Sequence, residues 1–534
     1  MNYPVWDLPF AHGILIAVVA ILHVYVSHFA VGGGLYLVVV EHLARRRNDT
    51  VLLGTLQRHS RFFMLLTLVF GAISGVGIWF TIGLINPAGT SALIHAFVWG
   101  WAIEWCFFLT EIAAAMVYYY GWKRLSPGKH LAMGWIYFAT AWMSMVVING
   151  ILAFQLTPGA WLETRSFWDG FFNPTYWSSL FARTFYAIAI AGLFALWTAS
   201  RSSSDEDRQQ RPWLVRTSGV WAIVGVALTV VGTMWWWSDV PEAIRNVTRG
   251  DMPVATVVTQ WSVWLAFGLA ALVIIGPLAM PRIVNRPFAV VVLLVGLLVM
   301  GAGEWAREGI RKPWVVYDYI YSNGVLASEV EDLRDEGIVA NSLWIDPATK
   351  ADPVAHGEQI FRAACQNCHA DDGYNGMAAR VKHWDEEFAA SMVPLFEYTR
   401  RKMPPWVGTD EEAEAVAAYL MTLKPAGVAP PANGQEVYAV RCGPCHAETE
   451  DGQRWITDYV AGFTAEDMWD IFDMMDGEYM PVFTAPQNEG EMLATYLEAL
   501  GNGESVETAT RLSDPRLAAA PDAPTAASRE EGTR

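Results

Sequence analysis

The chain has 534 residues, of which 53% are hydrophobic and 26 are tryptophan, a composition that excludes a lone small domain and points to a membrane body. Its formal charge of −18 is unevenly placed: residues 1–320 carry 21 Lys and Arg against 16 Asp and Glu, a net of +5, whereas residues 321–534 carry 15 against 38, a net of −23. The acidic second part disfavours nucleic acid as a partner; a contiguous acidic face would steer a basic electron carrier, and a merely solvated surface is the competing reading.

The N-terminus has Asp7 and no basic segment, and the first apolar run is too long for a leader, so no cleavable signal is expected. Eight apolar runs follow, at about 11–42, 62–85, 96–121, 131–155, 179–200, 215–238, 258–280 and 286–305, each long enough to cross a bilayer. Basic residues fall in alternate loops: Arg45, Arg46, Arg47, Arg58 and Arg61; Lys123, Arg124 and Lys129; Arg201, Arg208, Arg211 and Arg216; Arg282 and Arg286. The positive-inside rule makes those loops cytoplasmic and sends the N-terminus and everything after residue 305 outside.

Ionisable groups within a bilayer are costly and mark partners or cofactors. His23 and His28 lie on the first span, Glu104 and Glu111 on one face of the third, Arg183 on the fifth, and Glu308 and Arg311 at the outer mouth of the eighth. Helix–helix hydrogen bonding is the leading reading for His12, His28 and His95, and His42 and His59 at the cytoplasmic boundary need no role. His23 has acidic residues at matching depth on two other spans and is the functional candidate. Cys106 reads as a packed thiol.

The segment from Arg307 to Trp314 is too charged to continue into the bilayer, and 321–352 reads as a periplasmic connector with an acidic patch from Glu329 to Glu336. An internal repeat follows. Four of the five cysteines form Cys365-Gln-Asn-Cys368-His369 and Cys442-Gly-Pro-Cys445-His446. Thiols at this spacing add to the two vinyl groups of one haem, with the next histidine under the iron, so two covalent haem c groups are expected; zinc would need further ligands at each site. Such attachment takes place outside the cytoplasmic membrane in bacteria, in agreement with the loop charges. Gly357 and Gly434 each stand eight residues before the first cysteine, Phe361 matches Tyr438, and Met403-Pro404 and Met480-Pro481 each follow the histidine by 34 residues. Tyr419 and Tyr496, each sixteen past the methionine, lie on amphipathic helices ending near Leu423 and Leu500.

This layout resembles class I cytochrome c. The resemblance implies two small helical domains, 353–427 and 430–502, with terminal helices crossing near the haem and with His369/Met403 and His446/Met480 as axial ligands. Such ligation raises the potential relative to two histidines. His383 competes with Met403, and Met474 or Met475 with Met480. Residues 503–534 read as a disordered tail.

The membrane body resembles subunit I of the cytochrome bd oxidases over residues 10–328. The resemblance rests on Leu22-His23, Gly32-Gly33-Gly34 and Glu41; on Ala102-Ile103-Glu104, Phe107-Phe108-Leu109, Glu111 and Gly121-Trp122; on Asn149-Gly150; and on Glu308, Arg311 and Pro313-Trp314. It implies two non-covalent haems, b and d or b and b, near the outer face, where dioxygen is reduced. By position His23 and Glu308 would be iron ligands, Arg311 would balance propionates, and Glu111 with Glu104 would serve the haem environment or a proton route, Glu104 standing one residue out of register. The family's low-spin b haem sits between a fifth-span histidine and a seventh-span methionine; here those positions are Arg183 and Ala266. The loop at about 239–257 is too short for the family's quinol domain, and a ninth span is missing.

The expected architecture is all-α, a polytopic bundle of about eight membrane helices (1–320) followed by two cytochrome c domains. The expected function is a terminal oxidase of a bacterial inner membrane that draws electrons from a periplasmic cytochrome c or another complex, reduces dioxygen, and works with a second membrane subunit. The alternatives are an electron-transfer subunit without oxygen chemistry, and a membrane-anchored cytochrome c whose body has lost its haems.

Overall fold

The computed structural model describes residues 6–201, 205–246, 253–400, 403–448 and 454–518. It divides into two units, Met1–Glu329 and Val330–Arg534.

In the first unit eight helices are long and apolar enough to cross a membrane: His12–Arg46, Thr50–Ile85, Val98–Gly121, Pro127–Phe154, Tyr176–Ser200, Arg211–Asp239, Val257–Ala279 and Arg286–Arg311. The second begins a dozen residues before its apolar run because Asp49 caps it, accepting the Leu52 N–H at 2.9 Å. The eighth stays helical through Arg311, past the charged residues expected to end it, because those charges pair along its own face. The fifth span is the most enclosed, with half of its most apolar stretch buried. Gly32 of the first span lies against its backbone so closely that a Cβ there would fall 1.7 Å from Ala187 O. Small residues set this spacing because between apolar helices in lipid, packing replaces the hydrophobic drive.

Both ends of the bundle are tied by polar groups. At the end of the bundle that carries Arg45–Arg47 the fully buried Glu41 accepts from Arg45, from the Tyr118 hydroxyl and from His130 Nδ1, each at 2.7 Å. His130 Nε2 faces Tyr118 O at 2.9 Å, so both ring nitrogens meet acceptors and the first, third and fourth spans are joined. At the opposite end the segment 155–175 folds over the bundle with the short hairpin of Trp314–Val316 and Ile320–Tyr321, the only strands among the described residues. Phe97, Phe154, Trp161, Tyr176 and Val316 form the core beneath it. Cys106 is exposed, not packed: Ile103, Trp105 and Leu109 beside it also face outward, where lipid suits a thiol as well as a core does.

The second unit starts at Val330, so most of the expected connector belongs to it. The Ile338 and Val339 N–H groups donate to the Glu412 carboxylate at 2.9 and 2.8 Å, which fastens this stretch to the helix Asp410–Thr422. The unit contains two lobes with one design. Helix Pro353–Ala364 packs on Asp410–Thr422, and Gly434–Arg441 packs on Gln487–Gly501. At each crossing the backbones touch: a Cβ on Gly357 would stand 1.8 Å from Ala415 O, and one on Gly434 2.2 Å from Met492 O. The expected disordered tail starts too early. Helix Val506–Leu512 is capped by Ser505, and the Ser513 hydroxyl accepts the Gly434 N–H at 3.0 Å, which docks the segment on the second lobe; residues 519–534 lie outside the described residues.

Overpacking a helix crossing costs about 1–3 kcal/mol or more. Gly357→Ala will lower the thermal midpoint of the second unit by several degrees, read from haem absorbance on heating, whereas Gly303→Ala, with nothing within 4 Å of its Cβ, will leave it unchanged.

Candidate functional site

The two attachment turns have the same backbone. Cys365 N–H bonds Phe361 O at 2.8 Å, and Cys368 and His369 N–H return to Cys365 O at 3.0 and 2.9 Å. In the second copy Cys442 N–H bonds Tyr438 O at 2.8 Å, and Cys445 and His446 N–H return to Cys442 O at 3.0 and 2.9 Å. Burial pushes the Cys365 and Cys442 thiols up to about 12, with the neighbouring cysteine adding to the effect. His369 Nδ1 lies 3.1 Å from Asn375 O; a carbonyl only accepts, so Nδ1 holds the proton and Nε2 keeps its lone pair for a metal. The donor set therefore fits a haem iron in the first lobe. His446 Nδ1 is buried beside the Arg454 backbone of its own lobe. Among the described residues no three His, Cys, Asp or Glu gather into a metal site, so the zinc reading has no support there.

Phe361 and Tyr419 have ring centroids 5.4 Å apart, and Tyr438 and Tyr496 5.7 Å, so the aromatic positions of the repeat meet at the helix crossings. The Tyr419 hydroxyl donates to Asp371 Oδ1 at 2.8 Å and the Tyr496 hydroxyl to Glu448 Oε1 at 2.9 Å. Burial, then the bond to its acid, raises both phenols above their usual range. Each acid stands two residues past the haem-motif histidine, a match visible in the sequence but overlooked there. Of the competing methionines, Met475 is buried in the core of the second lobe, Met474 is 68% exposed, and Met480 packs on that core, as Cys442 does. Met403 and His383 are both half-buried.

In the membrane unit His23 Nδ1 lies 3.1 Å from the Ser74 hydroxyl of the second span. Gly75 packs closely against the ring, since a Cβ there would stand 3.1 Å from His23 Cε1. An imidazole held through Nδ1 keeps Nε2 for an iron, the donor arrangement a haem ligand needs. His28, by contrast, bonds Val24 O at 3.0 Å, His95 bonds Ser91 O at 2.8 Å, and His59 bonds the Thr198 hydroxyl at 2.9 Å. Glu104 accepts from Ser144 at 2.8 Å and Glu111 from Tyr137 at 3.0 Å, both partners on the fourth span.

The remaining candidates form one chain. Arg183 lies 3.6 Å from Glu304; Arg307 bonds Glu304 at 2.9 Å and Glu308 at 2.8 Å; the other Glu308 oxygen takes Arg311. Arg311 continues to Gln155 at 2.6 Å and to Val315 O. Glu304 and Arg307 were missed in the sequence, although residues 304, 307, 308 and 311 share a helix face at i, i+3 and i+4 spacing.

Fold and sites together define a membrane helix bundle joined to a helical region that carries two Cys-x-x-Cys-His turns. Residues 13–240 match the family model described as cytochrome bd terminal oxidase subunit I, and residues 352–420 match that described as cytochrome c oxidase, cbb3-type, subunit III. The chain thus joins a membrane region similar to cytochrome bd subunit I to a region similar to a cbb3-type cytochrome c subunit. Among solved structures, bd oxidase from Geobacillus thermodenitrificans matches at a TM-score of 0.51 and 14% identity, over 57% of this chain and 87% of that one, a likeness of fold. No curated protein matches.

Breaking a buried ion pair costs about 3–5 kcal/mol. Glu304→Gln will lower the midpoint of thermal unfolding in detergent accordingly, with Glu163→Gln on the exposed surface of the 155–175 segment as a neutral control. Cys365→Ala/Cys368→Ala will leave one covalent haem per chain, counted from the alkaline pyridine spectrum after acid-acetone extraction, and adding Cys442→Ala/Cys445→Ala will leave none.

Proposed function

We propose that the chain is a respiratory membrane haem protein that takes electrons singly through two covalent c-type haems and reduces dioxygen at a two-haem site in its membrane unit. It would sit in a bacterial cytoplasmic membrane with both cytochrome c lobes in the periplasm. The observation that carries this reading is Arg183. It occupies the position of the family's low-spin haem histidine, and its guanidinium faces Glu304 at 3.6 Å. The fifth span contains no histidine at all. A body without that internal donor still needs electrons one at a time, and the two attachment motifs on the same chain answer the need.

In this reading His23, steadied by Ser74, offers Nε2 to an iron, and Arg311 neutralises propionates near the outer face. Glu111, with its hydrogen bond from Tyr137, holds or passes protons, and Glu104 is steadied by Ser144. His369 and Met403, and His446 and Met480, hold the c-type irons. Bound haem supplies the electron relay and the site at which oxygen is reduced. Quinol is not the expected donor; a periplasmic cytochrome c or another respiratory complex is, and a second membrane subunit completes the assembly.

A second reading, electron transfer without oxygen chemistry, draws on Glu308. Both of its carboxylate oxygens are engaged by arginines, so binding an iron would require releasing one of them.

Oxygen uptake separates the two. The purified protein will consume oxygen with reduced cytochrome c and not with a quinol; consumption with quinol alone removes the electron-entry assignment, and none with either donor favours the second reading. His23→Ala will abolish the high-spin haem absorption and keep the covalent haem, and an unchanged spectrum would refute the ligand assignment.

A further inference from the structure

The second attachment site is held from the first lobe on both of its sides. On the histidine side, Arg400 donates its backbone N–H to Pro444 O at 2.8 Å and its guanidinium to His446 O at 3.2 Å. Arg441, immediately before Cys442, bonds Asp385 Oδ2 at 3.1 Å and stands over the Phe388 ring at 4.4 Å. On the methionine side, residues 481–486 have no regular secondary structure, and Pro481 has no N–H to give. Their described ties to the first lobe are Val482 N–H to the Ser391 hydroxyl at 3.0 Å and the Thr484 hydroxyl to Asp385 Oδ2 at 2.6 Å. Asp385 is itself fixed as the cap of helix Glu386–Met392, with its other oxygen on the Phe388 N–H at 2.9 Å. Among the described residues the first lobe receives no reciprocal bond at its histidine: His369 is steadied by Asn375 of its own lobe.

We propose that the first lobe sets the axial environment of the second haem, with Asp385, Ser391 and Arg400 as positioning residues for His446 and Met480. This rests on reading those two residues as the iron ligands. A thioether is a neutral, soft ligand, and one carried on an irregular segment keeps its place only as well as that segment is anchored. Beside its packing on its own core, the segment's side-chain hydrogen bonds to Ser391 and Asp385 come from another lobe, so loosening them changes the second haem while the first keeps its own support.

The test uses the full-length holoprotein and the variants Ser391→Ala, Asp385→Asn and Arg400→Gln. Spectroelectrochemical titration reads the potential of each covalent haem, and the near-infrared absorption of the ferric state reads methionine ligation. Ser391→Ala removes a single hydroxyl and Asp385→Asn keeps the helix cap, so both are expected to fold. The second haem's reduction equilibrium should fall about tenfold, about 59 mV for one electron, with a smaller near-infrared band and the first haem unmoved. Equal shifts in both haems, or none in either, would overturn the proposal. Met480→Ala identifies the second haem's signals by abolishing their methionine band. If it does not, the ligand reading fails and the proposal falls with it; if it does while the three variants leave both potentials in place, the proposal alone is wrong.

Discussion

A charge placed among hydrocarbon chains must find its counter-charge inside the protein, because insertion of one unpaired charged side chain at mid-bilayer costs about 3 kcal/mol. The membrane unit meets this constraint at both ends. At one end Arg183, Glu304, Arg307, Glu308 and Arg311 form a continuous series that joins the fifth and eighth spans and reaches Gln155 beyond the fourth. At the other Glu41 gathers Arg45, Tyr118 and His130 from three spans. The apolar packing between these ends, with backbones in contact at Gly32 and Ala187, tolerates little sliding. Polar pairs fix which helix lies beside which, and small residues fix how near.

The series around Arg183 also bears on chemistry. Arg183 stands where the family resemblance puts a haem ligand, and an arginine cannot ligate iron, but it can hold a carboxylate. The Arg183–Glu304 pair thus gives the fifth and eighth spans a polar link of their own. The cytochrome c lobes follow a different rule. Their cores are small, and each is organised around one crossing of two helices, an aromatic pair at that crossing, and a tyrosine that ties the C-terminal helix to the acid just past the haem-motif histidine.

Much of this was legible in the residues. The eight spans followed from hydropathy alone, since length and apolarity are local properties; the extra turns at Thr50 and Arg311 escaped because they depend on a cap and on charges that pair once the helix exists. The paired motifs, the glycines and the aromatic positions were readable because a repeat displays its own constraints twice. Asp371 and Glu448 were lost because one is aspartate and the other glutamate, so matching by identity passed over a shared carboxylate. The Glu41–His130 contact joins residues 89 apart, and no periodicity announces such a pair. The contacts between lobes, from Arg400 and Asp385, left no trace for the same reason, and the tail was misread because its composition is polar although its first helix docks through Ser513.

The seam at Gly357 and Gly434 has a consequence for how the two lobes stay alike. A Cβ at 1.8 or 2.2 Å from a carbonyl oxygen leaves no room for adjustment by a rotamer, so the register of each helix pair is dictated by backbone against backbone. A slip of one residue would bring Glu358 or Gln435 into the gap. The alignment is therefore inherited as a distance along the chain, from glycine to cysteine and from methionine to tyrosine, and side chains elsewhere are released to diverge. Two copies can drift apart in surface, charge and neighbours and still present their haem turns in the same frame.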